Sequence, residues 1–235
     1  MTREPEGDGA AQPRILVAER TRSLEMRWIV PGQLESAVTE WFTRLPAEVE
    51  SREDVYLVAP QLRGLSVKLR QGRALEVKVY QGTPGILAVA GRARGRLESW
   101  EKWSFPSGPL SRGGVDLPGW HPVHKLIRRF SAPSGQGGAR VREMGAQPRC
   151  EVELTEVRAR GQTWWTLGFE ATGPPSLLRG QLEATAALVF AQALPGGVEL
   201  STDDSQSYAQ WLVTGGPRNG APAVSAAGNP VSLGR

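Results

Sequence analysis

Residues 64–82 read GLSVKLRQGRALEVKVYQG and predict two β-strands joined by a short turn. Polar and apolar residues alternate in both halves, which is the pattern of a strand with one buried face. The turn, Gln71-Gly72-Arg73, has three residues and contains a glycine, as short hairpin loops commonly do. The implied pairs are Arg70 with Ala74, Lys68 with Glu76, and Ser66 with Lys78. The shared polar face is rich in cations, so it either points at water or lines a site for an anion.

The length and composition predict a folded protein with one large β-rich domain or two small ones. The chain has 235 residues, of which 40% are hydrophobic, and this is enough for a sizeable core. We predict a single domain over residues 14–213. Residues 1–13 are rich in Gly, Glu, Pro and Ala, and residues 214–235 lack periodicity, so both ends are predicted to be disordered.

The charges and cysteines narrow the classes of partner and site. The net charge of +4 favours acidic partners, but the 28 Lys and Arg residues are interspersed with 24 Asp and Glu residues. This mixture argues against a surface coated by nucleic acid. Cys150 is the single cysteine, so no internal disulfide forms, and with only two histidines the chain has no Cys/His zinc site.

The sequence also predicts the location of the protein. No apolar run approaches the ~20 residues that a membrane-spanning helix needs. The N-terminus, MTREPEGDGAAQ, lacks the apolar core of a signal peptide. We therefore expect a cytoplasmic protein that makes no contact with a membrane.

The remaining periodicity predicts seven or eight antiparallel strands and three helices. Strands are expected at residues 15–30, 48–59, 93–104, 121–130, 150–157 and 163–172, besides the two within residues 64–82. The segment at 121–130 also fits a short basic helix, and we favour the strand. Helices are expected at residues 33–44, 174–193 and 203–213, the last of them starting at Asp203-Asp204.

Most of these strands have one face of mixed charge and one apolar face. In an ordinary sandwich, the polar faces point at water. If the helices pack on the outside of a curved sheet, they cover the apolar faces, and the polar faces turn inward to line a tunnel. A lumen lined by Arg, Lys and Glu would have to hold water, a metal or a polyanion. The pattern alone leaves both arrangements open.

The order of the charged strands resembles a known family. The chain has Glu25 in the first strand, then the basic hairpin, an Arg-x-Glu strand at Arg96 and Glu98, a Glu-x-Glu hairpin at Glu151 and Glu153, and SYAQWL at residues 207–212. This succession resembles the CYTH superfamily of triphosphate tunnel metalloenzymes. The likeness extends over most of residues 14–213.

The resemblance implies a fold and a function. The fold is α+β and mainly β, with eight antiparallel strands closing a tunnel or barrel that has a polar lumen and helices packed outside. The ligand is a phosphorylated or other polyanionic small molecule, such as a triphosphate or polyphosphate, bound in the basic lumen. The implied reaction is hydrolysis by a divalent-metal-dependent (tri)phosphatase with Mg or Mn as its cofactor.

The resemblance assigns individual residues only where they match the motifs of the family. The implied phosphate-binding residues are Arg27, Lys68, Arg70, Lys78, Arg96, Lys125 and Arg129. The implied metal ligands are Glu25, Glu98, Glu151, Glu153 and Glu170. Among these, Glu25 and Glu170 are also the implied catalytic residues.

Two motifs depart from the family pattern. The first strand of the family carries Glu-x-Glu-x-Lys, whereas residues 23–27 read SLEMR, so two of the three positions are changed. The last strand of the family carries Glu-x-Glu, whereas Glu170 is followed here by Ala171 and Thr172. Loss of carboxylates would weaken a Mg site and misplace the attacking water.

Two alternatives to an enzyme follow from the same residues. The chain fits a catalytically inactive binding or interaction protein of the same fold, in which Glu153 and Glu170 pair with the cations. A basic nucleic-acid-binding module is the third reading, and the interspersed carboxylates disfavour it. The sequence predicts no oligomeric state.

Overall fold

The described part of the chain forms a barrel of eight strands and three helices. The computed structural model describes residues 18–89, 91–106, 118–132 and 148–215. The strands are β1 (Glu19–Pro31), β2 (Glu48–Leu57), β3 (Leu65–Arg70), β4 (Ala74–Val89), β5 (Ala93–Pro106), β6 (Trp120–Ala132), β7 (Arg149–Ala159) and β8 (Gln162–Thr172). The helices are α1 (Ser36–Thr43), α2 (Pro175–Val189) and α3 (Tyr208–Thr214). The ends predicted to be disordered lie outside the described residues, except for residues 214 and 215.

The strands close in the order β1-β5-β4-β3-β2-β6-β7-β8, and each pairs antiparallel with its neighbours. This confirms the predicted fold class, α+β and mainly β with a closed antiparallel barrel. The segment at 121–130 is a strand, as favoured. In the described residues, no helix is long and apolar enough to cross a membrane.

The hairpin of residues 64–82 has the predicted register. Arg70 pairs with Ala74, Lys68 with Glu76, and Ser66 with Lys78. The turn is possible because Gln71 and Gly72 adopt φ angles of 51° and 65°, in the left-handed region. A local turn therefore determines which residues of β3 and β4 share a face.

The larger apolar core lies outside the barrel wall. Met26 and Trp28 of β1 are buried there together with Phe42 of α1 and Leu182 of α2. Because α1 and α2 cover the apolar faces of the strands, the charged faces turn inward. The sandwich with outward polar faces is thus excluded, and the barrel has a polar lumen.

A second apolar cluster closes one end of the barrel. It contains Ile29, Tyr56 and Trp164 of the strands, with Trp211 and Leu212 of α3. The rings of Trp164 and Trp211 are 5.4 Å apart at 74°, an edge-to-face contact. Helix α3 therefore covers this end, and the lumen becomes a cavity between α3 and the opposite rim.

Helix α3 starts at Tyr208, so the predicted start at Asp203-Asp204 is wrong. The backbone at residues 204–206 pairs instead with β1: the Ile29 amide donates to the Asp204 carbonyl at 3.0 Å, and the Gln206 amide donates to the Arg27 carbonyl at 3.0 Å. Pairing of β1 with β5 runs from Glu19 to Glu25, and residues 204–206 bond to β1 beyond it. Ser205 forms an isolated bridge with Trp28, and the helix begins after this pairing, with Ser207 in an extended conformation as its N-cap.

Candidate functional site

The lumen is a charged cavity of about 250 Å³. The cationic side chains of the described residues that line it are Arg27, Arg52, Lys68, Arg70, Lys78, Lys102, Lys125, Arg129 and Arg149. The carboxylates of the described residues that line it are Glu25, Glu76, Glu98, Glu151, Glu153 and Glu170. The inward faces of all eight strands contribute, because side chains alternate along each strand.

The structure brings together almost all residues that the resemblance assigned to a site. Eleven of these twelve residues line the lumen, and Arg96 is the one described residue of the set that does not. The eleven are Glu25, Arg27, Lys68, Arg70, Lys78, Glu98, Lys125, Arg129, Glu151, Glu153 and Glu170. Arg96 is exposed and lines a neighbouring cavity. Its position on β5 lies beyond Glu98, where the pairing with β1 has ended.

Asp54 is the most buried charge of the site, with a side chain that is 0% exposed. Its Oδ2 accepts from Lys125 Nζ at 2.9 Å and from Lys68 Nζ at 3.3 Å. Burial disfavours its ionised form, but Lys68, Lys125 and Arg52 outweigh burial and hold its pKa well below the usual range. One carboxylate on β2 thus neutralises cations from three strands.

Two tyrosines form the floor of the lumen beside α3. Lys125 Nζ donates to the Tyr56 hydroxyl at 2.8 Å and lies 4.1 Å from the ring centroid of Tyr208. The Arg27 guanidinium lies 4.8 Å from the same ring. Burial raises the pKa of Tyr56 to about 12, so its hydroxyl stays protonated. Both cations are therefore held against aromatic faces.

Lys78 joins the carboxylates of two neighbouring strands. Its Nζ lies 2.6 Å from Glu25 Oε1 and 3.4 Å from Glu170 Oε1. Burial favours the neutral amine, but Glu170 and Glu25 outweigh burial and raise the pKa of Lys78. The two residues implied as catalytic are thus bound to one ammonium group.

Glu153 pairs with two arginines on the other side of the lumen. Arg129 Nη2 lies 2.9 Å from Glu153 Oε1, and Arg27 Nη2 lies 3.6 Å from Glu153 Oε2. Burial opposes ionisation, but Arg27 and Arg129 outweigh it and lower the pKa of Glu153 to about 2. Glu153 is therefore ionised at neutral pH.

Glu76 has the same role on the hairpin. It lies 3.1 Å from Lys68 and 3.0 Å from Arg70. Burial opposes its ionisation, but Lys68 and Arg70 outweigh burial and lower the pKa of Glu76 to about 2. The cation-rich face of the hairpin thus carries its own counter-charge.

Glu98 differs from Glu76 and Glu153, because its pKa is raised. Trp100 Nε1 donates to its Oε2 at 3.1 Å. Burial nevertheless raises the pKa of Glu98 to about 7, and the negative charge of Glu25 adds to this effect. At neutral pH, Glu98 is therefore protonated in a large fraction of the molecules.

The carboxylates do not fit the divalent metal that the resemblance implies. In the register of the sheet, Glu98 lies opposite Glu25, Glu25 opposite Glu170, and Glu170 opposite Glu151, across four neighbouring strands. In the described part of the chain, however, no three His, Cys, Asp or Glu side chains converge as ligands of one ion. Lys78 binds two of the glutamates, and a hard divalent cation needs several free oxygens.

Arg52 lines the lumen, although the sequence did not predict it as a site residue. Its side chain is 5% exposed and lines the lumen. Its nearest carboxylate oxygens, on Asp54 and Glu50, lie 3.4 Å and 3.5 Å away. Among the described residues, Arg52 Nε and Nη1 have no hydrogen-bond partner. Asp54 Oδ1, which faces Arg52 Nε, also has no hydrogen-bond partner among the described residues. The guanidinium is therefore held by long ionic contacts and is a candidate donor to an anion in the lumen.

The sequence contained a weak signal for Arg52 and Asp54, which were not predicted as site residues. Glu50, Arg52, Asp54 and Tyr56 alternate along β2, as the lumen residues do in the other strands. The intervening positions include Ser51 and Glu53, so β2 shows no clear apolar face and its inward side could not be identified.

Comparisons with known proteins give little further information. No family model and no curated protein matches the chain. Among solved structures, the chain is similar to the S. pombe Pct1 RNA triphosphatase in complex with the Spt5 CTD. That similarity has 11% identity and a TM-score of 0.37, and it covers 73% of this chain and 80% of the other. At this level it carries no conclusion about function.

Proposed function

We propose that the protein binds a phosphorylated or other polyanionic small molecule in its lumen. The observation that supports this most strongly is Arg52, whose Nε and Nη1 have no hydrogen-bond partner among the described residues although the side chain is buried. A phosphate oxygen is the partner that such a guanidinium takes best, since its planar donors match the oxygens of the anion.

The charge of the lumen supports the same conclusion. Cationic side chains outnumber carboxylates among the described lining residues, and the raised pKa of Glu98, about 7, removes part of the negative charge. Several pairs are long: Lys78 to Glu170 is 3.4 Å, and Arg27 to Glu153 is 3.6 Å. Strong charge-assisted bonds are about 2.7–2.9 Å, so a ligand oxygen can replace these two long contacts while Lys78 keeps its 2.6 Å contact with Glu25.

Calorimetry with tripolyphosphate tests the proposal. Wild-type protein should bind it in metal-free buffer, and the affinity should fall as salt rises. Arg52→Met should weaken binding about tenfold or more, because a hydrogen bond to a charged group contributes about 1.5–3 kcal/mol. Arg94→Met is the matched control, since Arg94 is exposed and is not among the residues that line the lumen. Equal affinities of both variants and wild type would refute the proposal.

The metal-dependent (tri)phosphatase stays a prediction. Because the carboxylates do not fit the metal, we derive no catalytic step from them, and binding without hydrolysis is the form of the function we favour. Phosphate release from tripolyphosphate should be measured with Mg²⁺ and with Mn²⁺. We expect none above background. Metal-dependent release that is lost in Glu170→Gln would establish the enzyme and refute the binding-only form.

Other predictions from the sequence are not tested by the structure. Membership of the CYTH superfamily and the cytoplasmic location stay predictions.

Nucleic-acid binding is disfavoured because the cations line an interior cavity of about 250 Å³, where a duplex has no access. Failure to bind DNA or RNA at low salt would remove this alternative.

A further inference from the structure

Strand β4 extends beyond its pairing with β3 and has an open edge there. The pairing with β3 ends at Val79, and the Tyr80 amide then donates to the Gly64 carbonyl at 2.8 Å. From Gly82 to Val89, β4 pairs with β5 on one side. In the described residues, no strand pairs with its other side over this stretch. Such an edge presents backbone N–H and C=O groups with which a further strand can pair.

Only the first half of this edge has the features that normally block the addition of a strand. Pro84 has no N–H, and the register with β5 shifts on both sides of Gly82. Residues 86–89, Ile-Leu-Ala-Val, pair regularly with β5 and carry no charge. Ile86 is 49% exposed although it is large and apolar. The β4 edge, residues 86–89, is thus regular, uncharged and open to a partner strand.

A groove of about 410 Å³ lies between the β4 edge and helix α2. Leu87, Ala88 and Val89 line it on the side of the strand. Ala187 and Ala191 line it on the side of the helix, and both are exposed. Because their side chains are small, they leave room for a strand beside β4. A segment that paired with the β4 edge would lie in this groove.

The charges of the groove favour an uncharged segment. Among the described lining residues, only Arg92 and Glu183 are charged. Arg92 Nη1 donates to the carbonyls of Phe190 and Ala191 at 2.6 Å and 2.9 Å. Glu183 Oε1 lies 2.8 Å from Arg179 Nε on the preceding turn of α2. Both charges have partners, so a charge on the added segment would find no free counter-charge in the described lining.

A second copy of the chain supplies a segment of this kind. Residues 81–91, QGTPGILAVAG, contain no Asp, Glu, Lys or Arg. Two β4 edges therefore meet without like charges opposite each other. Antiparallel pairing of two identical edges is isologous, since each copy offers the same surface, and the contact closes at two subunits.

The two ends of the groove carry opposite charges, and this also suits antiparallel pairing. Helix α2 follows β8 and ends beside Arg92 at the tip of the β4–β5 hairpin, so it runs alongside β4. Glu183 precedes Phe190 by two turns, which is about 10 Å along the helix. A two-fold axis turns each end of one groove toward the opposite end of the other. Arg92 then approaches Glu183 of the partner subunit, and this attraction favours the antiparallel orientation.

We propose that the chain forms a homodimer in which the β4 edges of two copies pair antiparallel and join the two barrels into one sheet. The dimer is a property of the outer surface and does not depend on what the lumen binds. One short pair of strands and the flanking helices make a small interface, so the association is weak and depends on concentration.

Light scattering of the full chain tests the dimer from about 1 µM to about 1 mM, a range that covers weak association. The mass of the wild type should rise from 25.4 kDa toward twice that value. Ala88→Glu should weaken dimerisation about tenfold or more, because it places a carboxylate in an uncharged contact. The fold should tolerate it, since residue 88 lies opposite Arg94 of β5.

The matched control is Ala37→Glu. Ala37 is exposed on α1 and is not among the residues that line the groove. This variant should dimerise like the wild type, because the added charge lies outside the contact.

A cross-link locates the contact. Cys150 is the single cysteine of the chain and is 0% exposed, so a thiol introduced by Ala88→Cys reacts selectively. A short bis-maleimide should join two chains of Ala88→Cys and should not join two chains of Ala37→Cys. A wild type that stays monomeric over the whole range would overturn the inference. A dimer that persists in Ala88→Glu and is not cross-linked through Ala88→Cys would also overturn it, and both results would leave the proposed anion binding standing.

Discussion

The two faces of strand β7 are stabilised in opposite ways. Its outward residues Val152 and Leu154 are fully buried in the apolar core. Its inward residues Glu151 and Glu153 line the lumen and pair with Arg129. Apolar burial needs no particular partner, whereas each buried charge needs a counter-charge. The outer core is therefore complete by itself, while the lumen is where a carboxylate can be exchanged for a ligand oxygen.

Removal of one lumen charge should have the largest effect on stability. Asp54→Asn leaves Arg52, Lys68 and Lys125 without their shared carboxylate, which should cost about 3–5 kcal/mol. Urea unfolding at pH 7 measures this cost. Glu53→Gln is the control on the same strand, because Glu53 is exposed and pairs with His124 at 3.1 Å. It should change stability by less than about 0.5 kcal/mol. Equal effects would show that the lumen pairs contribute no more than surface pairs.

Truncation of a side chain in the outer core should lower the free energy of unfolding slightly less than Asp54→Asn does. Leu182 of α2 is 0% exposed, so Leu182→Ala should lower the free energy of unfolding by about 2–5 kcal/mol through lost burial and a cavity. Leu188→Ala on the same helix is the control, since Leu188 is 48% exposed. Its cost should stay below about 1 kcal/mol. A similar loss for both leucines would contradict a core between α2 and the barrel.

The contribution of the lumen to stability should depend on pH, whereas that of the outer apolar core should not. The pKa of Glu98 is raised from 4.5 to about 7, so the folded state keeps a proton that the unfolded state releases above about pH 4.5. Its contribution to stability is therefore present at low pH and lost as pH rises from about 4.5 to 7. Glu98→Gln should remove this loss.

The measurement is the difference in unfolding free energy between Glu98→Gln and wild type at pH 5 and pH 8. The variant should gain about 1–3 kcal/mol relative to wild type over this interval. The penalty of Leu182→Ala should be the same at both values, because no charge is involved. A flat difference for Glu98→Gln would show that its carboxyl is solvated.

Much of the fold could be predicted because its determinants are local. The loop Gln71-Gly72-Arg73 fixes the register of β3 and β4, and alternation along β7 and β8 separates inward from outward residues. The start of α3 could not be predicted. Residues 204–206 bond to β1, which is distant in sequence, and this pairing overrides the capping potential of Asp203.

The site was predictable where the strands alternate cleanly. Lys68 and Lys78 lie in the lumen because their neighbours are apolar. Arg52 and Asp54 were missed because polar residues stand on both sides of β2. Arg96 shares the alternation of β5, but alternation cannot show where β5 parts from β1. The pairing of Lys78 with Glu25 and Glu170 also depends on strands that only the closed barrel brings together.

The central claim is that the lumen, and not the outer surface, holds the anion. The most direct measurement is a crystal structure of the protein soaked with tripolyphosphate in metal-free buffer. The account predicts density for the phosphate chain inside the barrel, with an oxygen within hydrogen-bond distance of Arg52 Nε or Nη1. Phosphate density confined to the outer surface, with Arg52 Nε and Nη1 still facing only Asp54 and Glu50, would contradict it.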